Sequence, residues 1–327
     1  MLGVPGMMAK DGVATLRRRA PLCTARPRRG QEGIALVLVL WLTVLLTVIA
    51  GGFAYSMRTE ALAARNAASL AQARALADGA IMRVAFELMR PRTQNEPWQA
   101  DGMVHVWNED STRIAVNAID ESGRIDLNTA PDALLKNLLQ VAGGLDADSA
   151  ARMVDVIDDW KSPGDLKRPN GAKAPEYQAA GLSYKPPNAP FESVAELQRV
   201  LGMTPALYAA LVDNLTVFSK LPGINPAYAS RTALLALPNA TAEIVDTYLT
   251  QRQNALAARL PAPVFPLAGL GAGAVNLWRI HTEATLTDGT TFVREAVVRP
   301  GGDTLHPVTL LVWQEGERQL VAAPAGQ

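Results

Sequence analysis

Between residues 34 and 54 the chain carries no charge: IALVLVLWLTVLLTVIAGGFA. A helix needs about 20 apolar residues to cross a bilayer core, because it rises only ~1.5 Å per residue and lipid offers its backbone no partner. The run meets that length. The apolar region of a secretory signal is shorter, roughly 7–15 residues, and ends at a small-x-small site. This run instead passes into a helix-compatible stretch, so a retained span is expected. Lys10, Arg17, Arg18, Arg19, Arg26, Arg28 and Arg29 precede it, against only Asp11 and Glu32. Basic flanks stay cytoplasmic. That puts the N-terminus inside and residues beyond about 58 outside, which in a bacterium is the periplasm. A mitochondrial location is the competing reading of an Arg-rich, acid-poor leader, although transit peptides seldom abut so long a span.

Downstream, residues 58–90 are rich in Ala, Leu, Arg and Glu, strong helix formers, with no proline until Pro91. Leu62, Asn66, Leu70, Ala73, Ala77, Ile81, Val84 and Leu88 recur at helical spacing on one face. With the span this predicts a single helix of about 57 residues, ~85 Å long. Gly51-Gly52 is the one place in its path where a kink is expected.

Alternating residues at 103–107 and 112–120 predict strands. Segments 277–286 and 291–299 alternate too, around Asp288-Gly289, a strong hairpin signal, and 307–314 is a further strand. About 140 residues of helical signals separate the two groups. Asn128-Thr129 with Pro131, Asp146, the Ser193–Glu196 capping box and Thr204-Pro205 each mark a helix start. Met153, Val154, Ile157 and Trp160 form the apolar face of the second helix. Pro163, Pro169, Pro175, Pro186, Pro187 and Pro190 predict a long loop, and long ordered loops usually tie or bind something. The expected class is α+β, with a long N-terminal transmembrane and amphipathic helix, an antiparallel sheet and a large all-helical inserted domain. A helix half in lipid and half packed on such a sheet resembles the pilin architecture, the alternative being a membrane anchor followed by an unrelated stalk helix.

Composition argues against two function classes. The chain of 327 residues has zero formal net charge, so its five excess positive charges before residue 34 are offset by an acidic exported part. A nucleic-acid binder needs clustered Lys and Arg there. His105, His281 and His306 are far apart, and no HExxH, GxSxG or Walker-type loop is present, so no enzyme is expected. Cys23 is the sole cysteine and says nothing of redox compartment.

The residues Arg28-Arg29-Gly30-Gln31-Glu32-Gly33, followed by Ile34-Ala35-Leu36, resemble a prepilin-peptidase site. The matching bond is Gly33–Ile34. The fifth residue after it is Leu38, where most pilins and pseudopilins carry Glu. There is also an internal echo. Ile125-Asp126-Leu127-Asn128-Thr129-Ala130 with Leu134-Leu135 is repeated loosely by Ile224-Asn225-Pro226-Ala227-Tyr228-Ala229 with Leu234-Leu235. Both pieces, with Ile157-Asp158-Asp159-Trp160 and Glu196-Leu197 to Gly202-Met203-Thr204, resemble the insert of the minor pseudopilin K family of type II secretion, whose members lack that Glu.

The resemblance implies a basic leader (1–33), a transmembrane helix (34–54), a pilin helix with first strands (55–120), a helical insert (121–262) and closing strands (263–327). It implies cleavage before Ile34 and methylation there, a place at the tip of the periplasmic pseudopilus, and no catalysis. The implied partners are the I- and J-type minor pseudopilins, with the H-type a further candidate, the prepilin peptidase and the inner-membrane secretion platform. It also implies calcium, for which the matching acids are Asp158, Asp159, Asp165 and Glu176. Lys161, Lys167, Arg168 and Lys173 intrude among them, and helix-end acids beside a solvated loop are the alternative.

A rival class remains open. Asn-Thr-Ala before Leu-rich helices and the turn Leu221-Pro222-Gly223 resemble a helix-hairpin-helix module, which holds duplex backbone through main-chain N–H groups. That would make the chain a membrane-anchored DNA-uptake protein. Ile224-Asn225-Pro226 departs from the glycine pattern such a hairpin wants.

Overall fold

A computed structural model describes residues 32–90, 98–258, 260–267, 275–301 and 305–317. Helix α1 (Glu32–Met89) is uninterrupted, and Gly51 and Gly52 are helical like their neighbours. The expected break is therefore not seen; glycine costs a helix about 1 kcal/mol, little against the backbone bonds that an apolar helix must keep where lipid offers no other partner. The chain divides into two units, Met1–Ala63 and Ala64–Gln327.

In the first unit the described residues are helical, apolar and exposed, with a mean hydropathy of 2.8 in the best window and none of that window buried. The two threonines of the uncharged run, Thr43 and Thr47, give their hydroxyls to the helix itself. Thr43 Oγ1 donates to the Leu40 carbonyl at 2.8 Å and Thr47 Oγ1 to that of Thr43 at 2.7 Å. These two hydroxyls are thus satisfied without water.

The second unit contains a five-stranded antiparallel sheet of β1 (His105–Glu109), β2 (Thr112–Asp120), β5 (Trp278–Thr285), β6 (Thr291–Pro300) and β7 (Val308–Glu315), in the order β1-β2-β5-β6-β7. One face takes the C-terminal part of α1. Ala73, Ala77, Ala80, Ile81, Val84 and Ala85 pack on Ile114, Val116, Ile280, Ala284, Ala296 and Val298. The alanines let the helix backbone approach closely enough for Thr282 Oγ1 to donate to the Ala77 carbonyl at 3.0 Å. Arg294 Nε meets Asp78 Oδ1 at 2.6 Å on the same side. Met89 ends the helix just before Pro91, as the ring of a proline requires.

The sheet is split, with β2 and β5 adjacent although 157 residues separate their ends. Between them lie β3 (Ile125–Asp126), α2 (Asp132–Val141), α3 (Ala147–Lys161), α4 (Ala174–Ala179), a 3-10 helix (Val194–Arg199), α5 (Pro205–Leu211), β4 (Leu215–Thr216), α6 (Arg231–Leu235) and α7 (Ala242–Ala257). They have their own core, centred on Leu138, Ile157, Trp160, Tyr177, Leu197 and Leu211.

Four local expectations need correction. The intervening segment holds a parallel ladder, Ile125 opposite Leu215 and Asp126 opposite Thr216, too short to give an alternating pattern. The proline-rich stretch is not all loop, because Pro175 opens α4. The Ser193–Glu196 capping box is present, with the Ser193 N–H donating to Glu196 Oε1 at 2.9 Å, but it opens a 3-10 helix rather than an α-helix. Finally, Pro131 itself is the N-cap of α2, without a side-chain bond, and Asn128 and Thr129 act elsewhere. The Asn128 amide pairs both ways with the Phe191 backbone, at 3.0 and 2.8 Å, while Thr129 Oγ1 donates to the Leu221 carbonyl at 2.6 Å.

Candidate functional site

Three places in the chain could carry function. The first is the start of α1. Glu32 and Gly33 open the helix, so the bond expected to be cut lies in its first turn; the rest of the basic leader lies outside the described residues. Ile34 and Leu38 are exposed, at 70% and 64%. From Gly33 to Thr59 there is no carboxylate. A helix that enters lipid without one avoids the several kcal/mol that a buried unpaired carboxylate would cost.

The second is the seam between the sheet and the intervening domain. Leaving β2, Asp120 caps a short turn through the Ser122 N–H at 2.9 Å. That turn aims the buried carboxylate of Glu121 at Arg279 Nε, 2.6 Å away, and at the hydroxyl of Thr216. Arg279 also pairs with Glu295, and Arg124 Nε lies 3.8 Å from Glu121. Next to this cluster is a cavity of about 480 Å³ lined by Asn117, Arg124, Tyr208, Phe218, His281 and Gln314, among others. His281 is buried there, and among the described residues neither ring nitrogen has a hydrogen-bond partner. Burial pushes its pKa down, against the pull of Glu295 and Glu283.

The third is the proline-rich stretch after α3. Asp158 Oδ2 lies 2.7 Å from Arg168 Nε, and Oδ1 lies 3.5 Å from Lys161 Nζ. Both oxygens of Asp159 accept from the Arg168 N–H at 3.2 Å. Burial pushes the Asp159 carboxyl up, while that N–H and the Lys173 charge oppose it. Glu176 Oε1 meets Lys167 Nζ at 2.7 Å, which holds its carboxyl below the usual range, and Oε2 accepts from the Lys173 N–H at 2.9 Å. Asp165 is exposed in the loop. Among the described residues, no group of three or more His, Cys, Asp or Glu is placed to hold a metal ion. Calcium takes 6–8 oxygens; here the protein's own N–H groups and cations occupy them, and the site does not fit that ion.

The internal echo has a structural meaning. Asp126 Oδ1 accepts from the Asn128 N–H at 2.8 Å, and Asn225 Oδ1 from the Ala227 N–H at 3.1 Å. Both copies are Asx turns leading into a helix, α2 and α6. The Asn225 N–H is itself donated to the Ser122 carbonyl at 2.7 Å. That N–H, bound inside the protein, is not available to a phosphate. Asp126 gathers more than its turn: Oδ2 accepts from the Lys220 N–H at 2.8 Å and from Ser219 Oγ at 3.3 Å. The repeated Asx position is the one sequence signal for this role of Asp126.

Residues 112–220 match the family model described as Type II secretion system (T2SS), protein K. A protein from Pseudomonas aeruginosa named Type II secretion system protein K is 25% identical over 244 residues, which is 67% of this chain and 73% of that protein. One of the same name from Klebsiella pneumoniae is 26% identical over 233 residues, 63% of this chain and 69% of that protein. Among solved structures, the crystal structure of the GspK-GspI-GspJ complex from the enterotoxigenic Escherichia coli Type 2 Secretion System contains a chain with this fold. The TM-score is 0.51 at 17% identity, over 80% of this chain and 99% of that one.

Proposed function

We propose that this chain, which carries a type II secretion system protein K domain, is a minor pseudopilin that caps the tip of a periplasmic pseudopilus and helps start its assembly. Its role is structural rather than catalytic. The observation that carries the reading is the split sheet. A helix and five strands of pilin type are interrupted between β2 and β5 by a domain with a separate core. A subunit enlarged there leaves no room for another to stack on it. The absence of a carboxylate at Leu38 supports the same position, because that residue's usual partner is the N-terminal amine of a subunit above.

In this reading the basic leader stays in the cytoplasm and the prepilin peptidase cuts before Ile34. Residues 34–54 hold the mature chain in the inner membrane and the folded domains face the periplasm. The partners are the I- and J-type minor pseudopilins, with the H-type further down and the inner-membrane platform below. The similar structure is of a complex with GspI and GspJ, which supports that choice. The test is co-expression of the full-length chain with the I- and J-type proteins of its own genome, followed by affinity purification from detergent. A stoichiometric ternary complex is expected. Its failure to form would leave only a membrane anchor bearing a folded domain.

A further inference from the structure

Lys173 is 3% exposed, at the start of α4. An ammonium has three protons to give, and each has an oxygen. Nζ donates to the Asp159 carbonyl at 2.6 Å, to the Ser162 carbonyl at 2.9 Å and to Asn188 Oδ1 at 3.0 Å. Two of these acceptors are at the C-terminal end of α3, where the last carbonyls have no partner in the helix and the dipole favours a positive charge. The third is at the far end of the proline-rich stretch. One buried cation therefore joins the helix end, the beginning of α4 and the return of the loop.

Arg168 does the same at the near end. Its guanidinium lies 2.6 Å from Asp132 Oδ2, 2.7 Å from Asp158 Oδ2 and 3.6 Å from Asp155 Oδ1, and its N–H binds Asp159. Asn170 adds its N–H and side-chain amide to Asp155 at 3.2 and 2.9 Å. The loop lies so close to the acids that a Cβ on Gly171 would sit 1.8 Å from Asp159 Oδ2. The acids and carbonyls here are answered by charges fixed to the chain, and among the described residues they form no group placed to hold a metal ion.

We propose that Arg168 and Lys173 are built-in cations that close the segment 162–190 onto α3, so that this domain holds its fold without a divalent metal. A tethered cation cannot be lost to a chelator or diluted away. The loop should then be equally ordered at any calcium concentration, in contrast to a domain tied by a bound ion, whose stability rises with free ion.

The experiment uses the full chain purified in detergent, followed by thermal melting and by hydrogen exchange of peptides covering 162–190. Equal melting temperatures and equal exchange in excess calcium and in excess chelator are expected. A higher melting temperature or slower loop exchange in calcium overturns the proposal. Arg168→Gln and Lys173→Met should each speed exchange of the loop amides by roughly tenfold or more, because local opening then loses its tie. Exchange unchanged in Arg168→Gln also overturns it. That variant, altered at a partly exposed guanidinium, keeps the test decisive if Lys173→Met does not fold. The readouts do not depend on secretion, so their outcome is separate from that of the co-purification.

Discussion

Arg279 Nε on β5 lies 2.6 Å from Oε1 of Glu121, the residue at which the chain leaves β2 and enters the intervening domain. The contact is therefore a fastening between the two cores of the folded unit. Glu121 is fully buried, and its second oxygen accepts the Thr216 hydroxyl from β4. Removing one member of such a buried pair strands the other charge, which costs about 3–5 kcal/mol. Glu121→Ala is expected to lower stability by that amount in urea titration of the detergent-solubilised chain. The double variant Glu121→Leu with Arg279→Met should lose less than the two single variants together, since neither charge is then left alone.

The neighbouring histidine sets a pH dependence. His281 faces Asn117 of β2 and Glu295 of β6 across the sheet, with Gly316 against its ring. Burial lowers its pKa from the ordinary 6.5, the two glutamates offsetting only part of that. As pH falls below 6.5 the unfolded chain takes up a proton that the folded chain resists, so its stability is full above that value and declines below it. His105, also lowered by burial, adds to the same slope. The urea midpoint should fall between pH 7.5 and 5, and His281→Gln should flatten part of that fall. A midpoint as steep in the variant as in the parent would contradict the assignment.

Gly123 is where the two halves of the intervening domain touch backbone to backbone. A Cβ there would lie 2.3 Å from the Tyr228 carbonyl oxygen and 2.8 Å from the Ala229 nitrogen. These are main-chain atoms of the second echo, already tied through the Asn225 N–H to Ser122, so they cannot swing aside. Gly123→Ala is expected to destabilise by about 1–3 kcal/mol, the usual cost of overpacking. Gly144→Ala is the control for space: a Cβ there meets nothing within 4 Å, and its cost comes from its φ of +66° alone.

Features written in consecutive residues were legible in the sequence, and features made by distant ones were not. The helix 58–90, its stop before Pro91, and the β5–β6 hairpin at Asp288-Gly289 all follow from local pattern. In that hairpin the Thr290 N–H bonds Asp288 Oδ1 at 2.8 Å and Gly289 has a φ of +86°. Asp146 also caps α3 as expected, accepting from the N–H groups of Asp148 and Ser149. Asn128 misled because its sequence context is that of a cap, while its partner, Phe191, is 63 residues away. Lys173 looked like an intruder among acids, because its charge is answered by carbonyls, which no composition reveals. The two-residue strands β3 and β4 pair across 90 positions and have no period to detect.

The apolar run at 34–54 sets a threshold that arginine scanning can measure. It contains thirteen Ile, Leu, Val and Phe residues. At about −0.3 to −0.6 kcal/mol each for insertion, they favour the membrane by roughly 6 kcal/mol together. An arginine at the helix centre costs about 3 kcal/mol. Val44→Arg alone should therefore leave the chain in the membrane pellet after alkaline extraction. Val44→Arg with Leu45→Arg should bring it near balance, and adding Val48→Arg should release most of it. The lipid-facing hydroxyls of Thr43 and Thr47, satisfied within the helix, add little to either side. If the single variant were already extracted, the run would hold the chain less firmly than its composition requires, and an anchor supplied by partner helices would have to replace it.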